Sequence, residues 1–120
     1  MPEFEPIVGR YLPVSFDGFG YRIYVEQAGS GVPLLCLHTA GADSRQYRHL
    51  LNDAAVTHRF QVVAFDFPWH GRSNPPAKWW LMQYRLTTKT YLGIVRAVWH
   101  ALGIERPVLM GCSMGRRYCA

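Results

Sequence analysis

No stretch of this sequence approaches the 18 or so uninterrupted apolar residues that a membrane-spanning helix requires. The N-terminus, Met1-Pro2-Glu3-Phe4-Glu5, is acidic where a secretory leader is basic. A soluble, unexported protein of the cytoplasm is therefore expected, with no membrane partner. Cysteine is scarce: Cys36, Cys112 and Cys119 are odd in number and form no C-x-x-C pair, which fits a reducing compartment and small thiols buried in apolar runs. Acidic residues are also few, 8 against 13 Lys+Arg, giving a formal charge of +5. Apart from Arg116-Arg117 the basic residues are scattered singly and no Lys/Arg stripe interleaves with aromatics, so a nucleic-acid partner is not expected. Internal repeats and low-complexity segments are absent as well.

What remains is a 120-residue chain with 49% hydrophobic, 14% aromatic and 18% charged residues. That composition is globular rather than disordered. The length suits one small domain over 1–120 that buries about two thirds of its unfolded surface.

The first third reads as β-structure. Tyr11 to Phe16 and Tyr21 to Gln27 predict antiparallel entry strands, the second with Tyr21, Ile23 and Val25 on one face, closed by the turn Ala28-Gly29-Ser30-Gly31. Val32 to Leu37 is apolar without alternation, the pattern of a strand covered on both faces. Asp43 and Gln46 have capping-box spacing, and Tyr47, Leu50, Leu51 and Ala54 recur at i, i+3, i+4, i+7, which predicts an amphipathic helix. A second two-sided strand spans Phe60 to Phe65 and stops at Asp66, and Phe67 to Pro76 reads as a loop. The segment holding Trp79, Trp80 and Tyr84 has no definite pattern; its aromatics suit either simple packing or a substrate entrance. From Thr88, the residues Tyr91, Leu92, Val95, Val98, Trp99 and Leu102 mark a helix face that Gly103 ends. A third two-sided strand, Pro107 to Cys112, runs into Ser113.

Alternating strands and helices with short apolar runs predict an α/β fold, a mostly parallel sheet wrapped by helices through right-handed crossovers. In such sheets the working residues gather at the carboxyl ends of the strands. Here those ends are His38 to Ala42, Asp66 to Ser73, and Gly111 to Gly115. The last spells Gly111-Cys112-Ser113-Met114-Gly115, a G-x-S-x-G between a buried strand and an expected helix. A serine projects from a turn this tight only if its flanking positions lack side chains that would collide with strand and helix.

With these three motifs the chain resembles the α/β-hydrolase family over nearly its whole length, and it reads as the N-terminal part of that fold, ending just after the nucleophile elbow. His38-Thr39-Ala40-Gly41 is similar to the family's oxyanion loop, and Asp66-Phe67-Pro68-Trp69-His70-Gly71-Arg72-Ser73 to its D-x-P-G-H-G-x-S loop. Thr39 and Trp69 depart, standing where Gly is usual, and both are expected to reshape the mouth of the site. The resemblance implies Ser113 as nucleophile on a small ester-like substrate, with the oxyanion held by the backbone N–H groups of Met114 and Ala40. His38, Thr39, Gly41, Asp66, His70, Gly111 and Gly115 would support the loops. A serine nucleophile points toward acyl hydrolysis and away from relatives that use Asp on alkyl halides or epoxides, with thioester, lactone and carbon–carbon substrates left open. This chemistry needs no cofactor and no metal.

A triad of this kind runs Ser, then Asp or Glu, then His. None of the seven residues after Ser113 is Asp, Glu or His. The 120 residues therefore read as a fragment or a prematurely ended product of a longer serine hydrolase, expected to be inactive alone and to self-associate through an unfinished sheet. Two other readings stand beside this: a non-catalytic, self-associating fragment, and a metal site at His38, Asp66 and His70, whose spacing the hydrolase loop already accounts for.

Overall fold

The computed structural model describes residues 3–38, 42–73 and 88–111. Strands β1 (Val8–Phe16) and β2 (Phe19–Ala28) form a hairpin. Its two-residue turn, Asp17-Gly18, has φ of 53° and 79°, the left-handed pair that keeps a right-twisted hairpin in register. β3 (Val32–Leu37), β4 (Phe60–Phe65) and β5 (Val108–Gly111) complete one five-stranded sheet in the order β1-β2-β4-β3-β5. The hairpin joins β4 antiparallel, while β4, β3 and β5 are parallel to one another. The α/β class expected from the sequence is the one observed.

The unalternating runs of β3 and β4 are explained by two cores, one on each face of the sheet. Leu35, Leu37, Val63 and Phe65 enter a cluster with Ile23, Val25, Tyr91, Ile94, Val95 and Val98. Leu34, Cys36, Val62 and Ala64 enter the other, with Tyr47 and Leu51. Helix α3 (Thr88–Ala101) covers the first face with Tyr91, Ile94, Val95 and Val98. It ends as the sequence predicts: Gly103 takes φ 74°, its N–H reaches the His100 carbonyl and that of Ile104 reaches Trp99. This double closure ties off the last turn, with Ile104 packed into the core behind it.

Two expectations need correcting. The helix predicted after Asp43 is broken into a 3₁₀ turn (Ser44–Tyr47), α1 (Arg48–Leu51) and α2 (Ala54–Thr57). Asp53 interrupts it, because its carboxylate accepts from the Ala55 N–H and starts a new helix where the old one would continue. Asp43 does cap the 3₁₀ turn, but through the Arg45 N–H. The apolar run over Pro107 to Cys112 reads as covered on both faces; β5 is, as an unpartnered strand should be, an edge of the described sheet, but with one face open, Val108 being 48% and Met110 42% exposed.

Cys36 tests the sealing of the second core. Burial pushes its thiol up to about 12, so the native chain should leave Cys36 unalkylated by iodoacetamide at pH 8 and modify it fully once unfolded in urea. Mass-spectrometric mapping reads this out; rapid native modification of Cys36 would show the core open.

Candidate active site

The parallel strands end level. Leu37 pairs with Phe65 on one side and with Gly111 on the other, so His38, Asp66 and the end of β5 share one edge of the sheet. β3 is the middle strand, which puts the loop after it beside both neighbours.

Asp66 ties this edge together. Its Oδ1 accepts the Ser44 N–H at 2.6 Å and its Oδ2 the Arg72 N–H at 2.8 Å, joining the segment after β3 to the loop after β4. Its backbone is held as tightly: Asp66 N–H donates to the Tyr24 carbonyl, the Ser73 hydroxyl donates to the Asp66 carbonyl, and Tyr24 N–H donates to Ser73 Oγ. The loop thus leaves β4 and returns to β2 within eight residues. Gly71, at φ 51°, sits against the carboxylate, and a Cβ there would overlap Asp66 Oδ2.

The loop turns twice. The His70 N–H donates to the Phe67 carbonyl across Pro68-Trp69, and the Ser73 N–H to the His70 carbonyl. Pro at the second and a positive φ at the third position define a type II turn, in which Gly is preferred. Trp69 occupies that position at φ 71°, a strain of about 1 kcal/mol for a residue with a Cβ. This is the physical meaning of the departure noted in the sequence: the turn keeps its shape and carries an indole.

His38 is fully buried, and its Nε2 accepts the Phe67 N–H at 3.0 Å, fixing the ring as the Nδ1–H tautomer. His70 Nδ1 donates to the Pro68 carbonyl at 3.0 Å, and the two rings lie 4.9 Å apart. Both histidines hydrogen-bond to the backbone of the loop after β4. The metal reading fails on the same contacts. His38 Nε2 and both Asp66 oxygens face N–H donors, and among the described residues no three His, Cys, Asp or Glu side chains are placed to hold an ion. Thr39, Ala40, Gly41, Cys112, Ser113, Met114 and Gly115 lie outside the described residues, as do Trp79, Trp80 and Tyr84.

No sequence pattern marks the side chains that surround Asp66. Buried Glu26 accepts from Tyr24 OH at 3.2 Å, Ser44 Oγ at 3.3 Å and Arg48 Nη2 at 3.0 Å. Arg72 Nη1 donates to Tyr24 OH at 3.0 Å, with its guanidinium 5.0 Å from the ring. Burial, and then the Glu26 charge, push the Tyr24 phenol above its ordinary range, keeping it a donor. Hydrogen bonds from the Arg45 side chain hold Asp43 below the usual carboxylate range. Apart from Tyr24–Glu26 and Asp43–Arg45, each two positions apart, these partners are separated by 18 to 48 positions, beyond any local motif.

The sequence pattern of the alpha/beta hydrolase fold matches residues 32–117. The chain belongs to the α/β-hydrolase family. This α/β-hydrolase chain is 34% identical over 98 residues to a protein of Mycobacterium phage D29 named for non-heme haloperoxidase activity, covering 80% of the chain and 32% of that relative. A membrane phospholipase A described as a bacterial virulence factor superposes with a TM-score of 0.76 at 28% identity, over 94% of this chain and 34% of that one. An epoxide hydrolase from an endophytic Streptomyces gives 0.70 at 26% identity, over 93% and 31%. The chain thus spans about a third of the length of the proteins it matches. No helix among the described residues is long and apolar enough to cross a membrane.

Replacing Asp66 by Asn puts an N–H₂ group against one of two backbone N–H donors. The loss of a charge-assisted bond and the new donor–donor contact should cost about 2 to 3 kcal/mol. Urea unfolding of the chain measures this, and a change below about 0.5 kcal/mol would show that the carboxylate does not hold the loops.

Proposed function

We propose that this chain is the N-terminal part of a serine hydrolase that cleaves small ester-like substrates by acyl transfer through Ser113. The observation that carries the reading is the common level of Gly111, Leu37 and Phe65. The stretch Gly111 to Gly115 starts at the sheet edge where His38 and Asp66 stand, and β5 is the immediate neighbour of β3. An oxyanion hole needs one N–H from the residue after the nucleophile and one from the loop after a neighbouring strand. Met114 and Ala40 occupy those sequence positions. In this reading Asp66, His38, His70 and Gly71 support the loops, Thr39 and Gly41 shape the oxyanion loop, and Gly111 and Gly115 allow the elbow.

Serine at position 113 is what separates this reading from epoxide or halide chemistry, which the resemblance associates with Asp at the elbow. Attack by a serine hydroxyl requires a base to take its proton, and His38, with Nε2 engaged by Phe67, is not arranged to do so. The base and its orienting carboxylate belong after the elbow in chain order.

A longer version carrying a later Asp or Glu and His should hydrolyse p-nitrophenyl acetate, and Ser113→Ala should lower kcat by a factor on the order of 10³ or more. The 120-residue chain should show no Ser113-dependent turnover. Full activity in the Ser113→Ala variant would sink the assignment, and so would epoxide opening without esterase activity.

The open face of β5 supports self-association of the isolated chain. Val108 and Met110 present uncharged, half-exposed side chains at a sheet edge, a template for another strand. β1, the other edge, carries Pro13, which lacks an N–H for strand pairing. Light scattering should therefore show mass rising with concentration, and Met110→Lys should reduce it. A monodisperse monomer at high concentration would contradict this.

A further inference from the structure

A polar pocket of about 220 Å³ opens between β2, the segment after β3 and the loop after β4. Its wall carries the carboxylates of Glu26, Asp43 and Asp66 and the guanidinium groups of Arg45, Arg48 and Arg72. The formal charges cancel, but the hydrogen-bonding capacities do not. Every carboxylate is well supplied: Asp66 by two backbone N–H groups, Asp43 by the Arg45 fork and backbone, and Glu26 by Tyr24, Ser44 and Arg48. The arginines are not. Each guanidinium offers five N–H donors. Arg48 engages Glu26 through Nη2 alone, and Arg72 engages Tyr24 OH through Nη1 alone. Among the described residues their other side-chain donors have no acceptor.

We infer that this pocket is a binding site for a small oxyanion, a carboxylate or phosphate group, held between the free donors of Arg48 and Arg72. The two arginines stand at opposite ends of one hydrogen-bonded chain, Arg72 to Tyr24 to Glu26 to Arg48, so their positions are set before a ligand arrives. Planar guanidinium forks suit the paired oxygens of either group. With the wall neutral, affinity rests on geometry more than on net charge, and dissociation constants on the order of 1 mM are expected. The site communicates with the sheet edge of the candidate active site, because the Arg72 backbone N–H is one of the two that hold Asp66.

The test is a titration of the 120-residue chain with inorganic phosphate and with malonate at constant ionic strength, followed by amide NMR shifts, with chloride as the control anion. Saturable shifts that include the Arg72 and Ser44 amides are expected from at least one of the two, and which one binds names the ligand's chemistry. Arg72→Gln should weaken binding at least about fivefold. Arg22→Gln should leave it unchanged, since Arg22 stacks on Tyr11 at 3.5 Å outside the pocket. Arg48→Lys, which keeps a cation beside Glu26, supplies an independent arm and should also weaken binding. Absence of saturation by about 50 mM of either anion, equal shifts with chloride, or equal losses in the Arg22 and Arg72 variants would overturn the inference.

Discussion

The described structure depends most on one carboxylate. Asp66 follows β4, the third of the five strands in the sheet, and accepts N–H groups from the segments after two different strands. Ring contacts and the His38–Phe67 hydrogen bond tie the segment after β3 to the loop after β4 as well, but the Asp66 carboxylate joins both to one group. The sequence around it serves the bridge. Gly71 clears the space that the carboxylate fills, Ser73 returns the loop to β2, and Pro68 sets the first turn. Such loops carry function because a rigid sheet beneath them fixes their ends.

That sheet in turn rests on its two cores. β3 and β4 send alternate residues to opposite faces, so each strand is held from both sides and its carboxyl end is fixed within the sheet. Local strain is tolerated on such a base. Trp69 keeps a backbone conformation suited to glycine because the flanking His70–Phe67 hydrogen bond and the buried Pro68 over-determine the turn.

Much of this was legible in the sequence, and for identifiable reasons. Val32–Leu37 and Phe60–Phe65 were found to the residue because burial on both faces leaves an unbroken apolar run, and Gly103 marked the end of α3 because only a left-handed residue closes it. The helix after Asp43 misled because its apolar spacing is real while Asp53 competes for the backbone. The covering of β5 misled because an apolar run records what a strand can bury, while Val108 and Met110 stay half exposed. At the site, the motifs pointed to His38 and Asp66, which stand at the ends of β3 and β4. They did not point to Glu26, Arg48 and Tyr24, since their roles arise only when distant strands meet.

The central claim is that the edge formed by β4, β3 and β5 presents Ser113 as an acyl-transfer nucleophile. The most direct test treats a longer version of the chain, with its later acid and base, with a fluorophosphonate and maps the adduct by mass spectrometry. A single adduct on Ser113, lost in heat-unfolded protein, is the predicted result. An unlabelled Ser113 in folded protein that is otherwise active would contradict it.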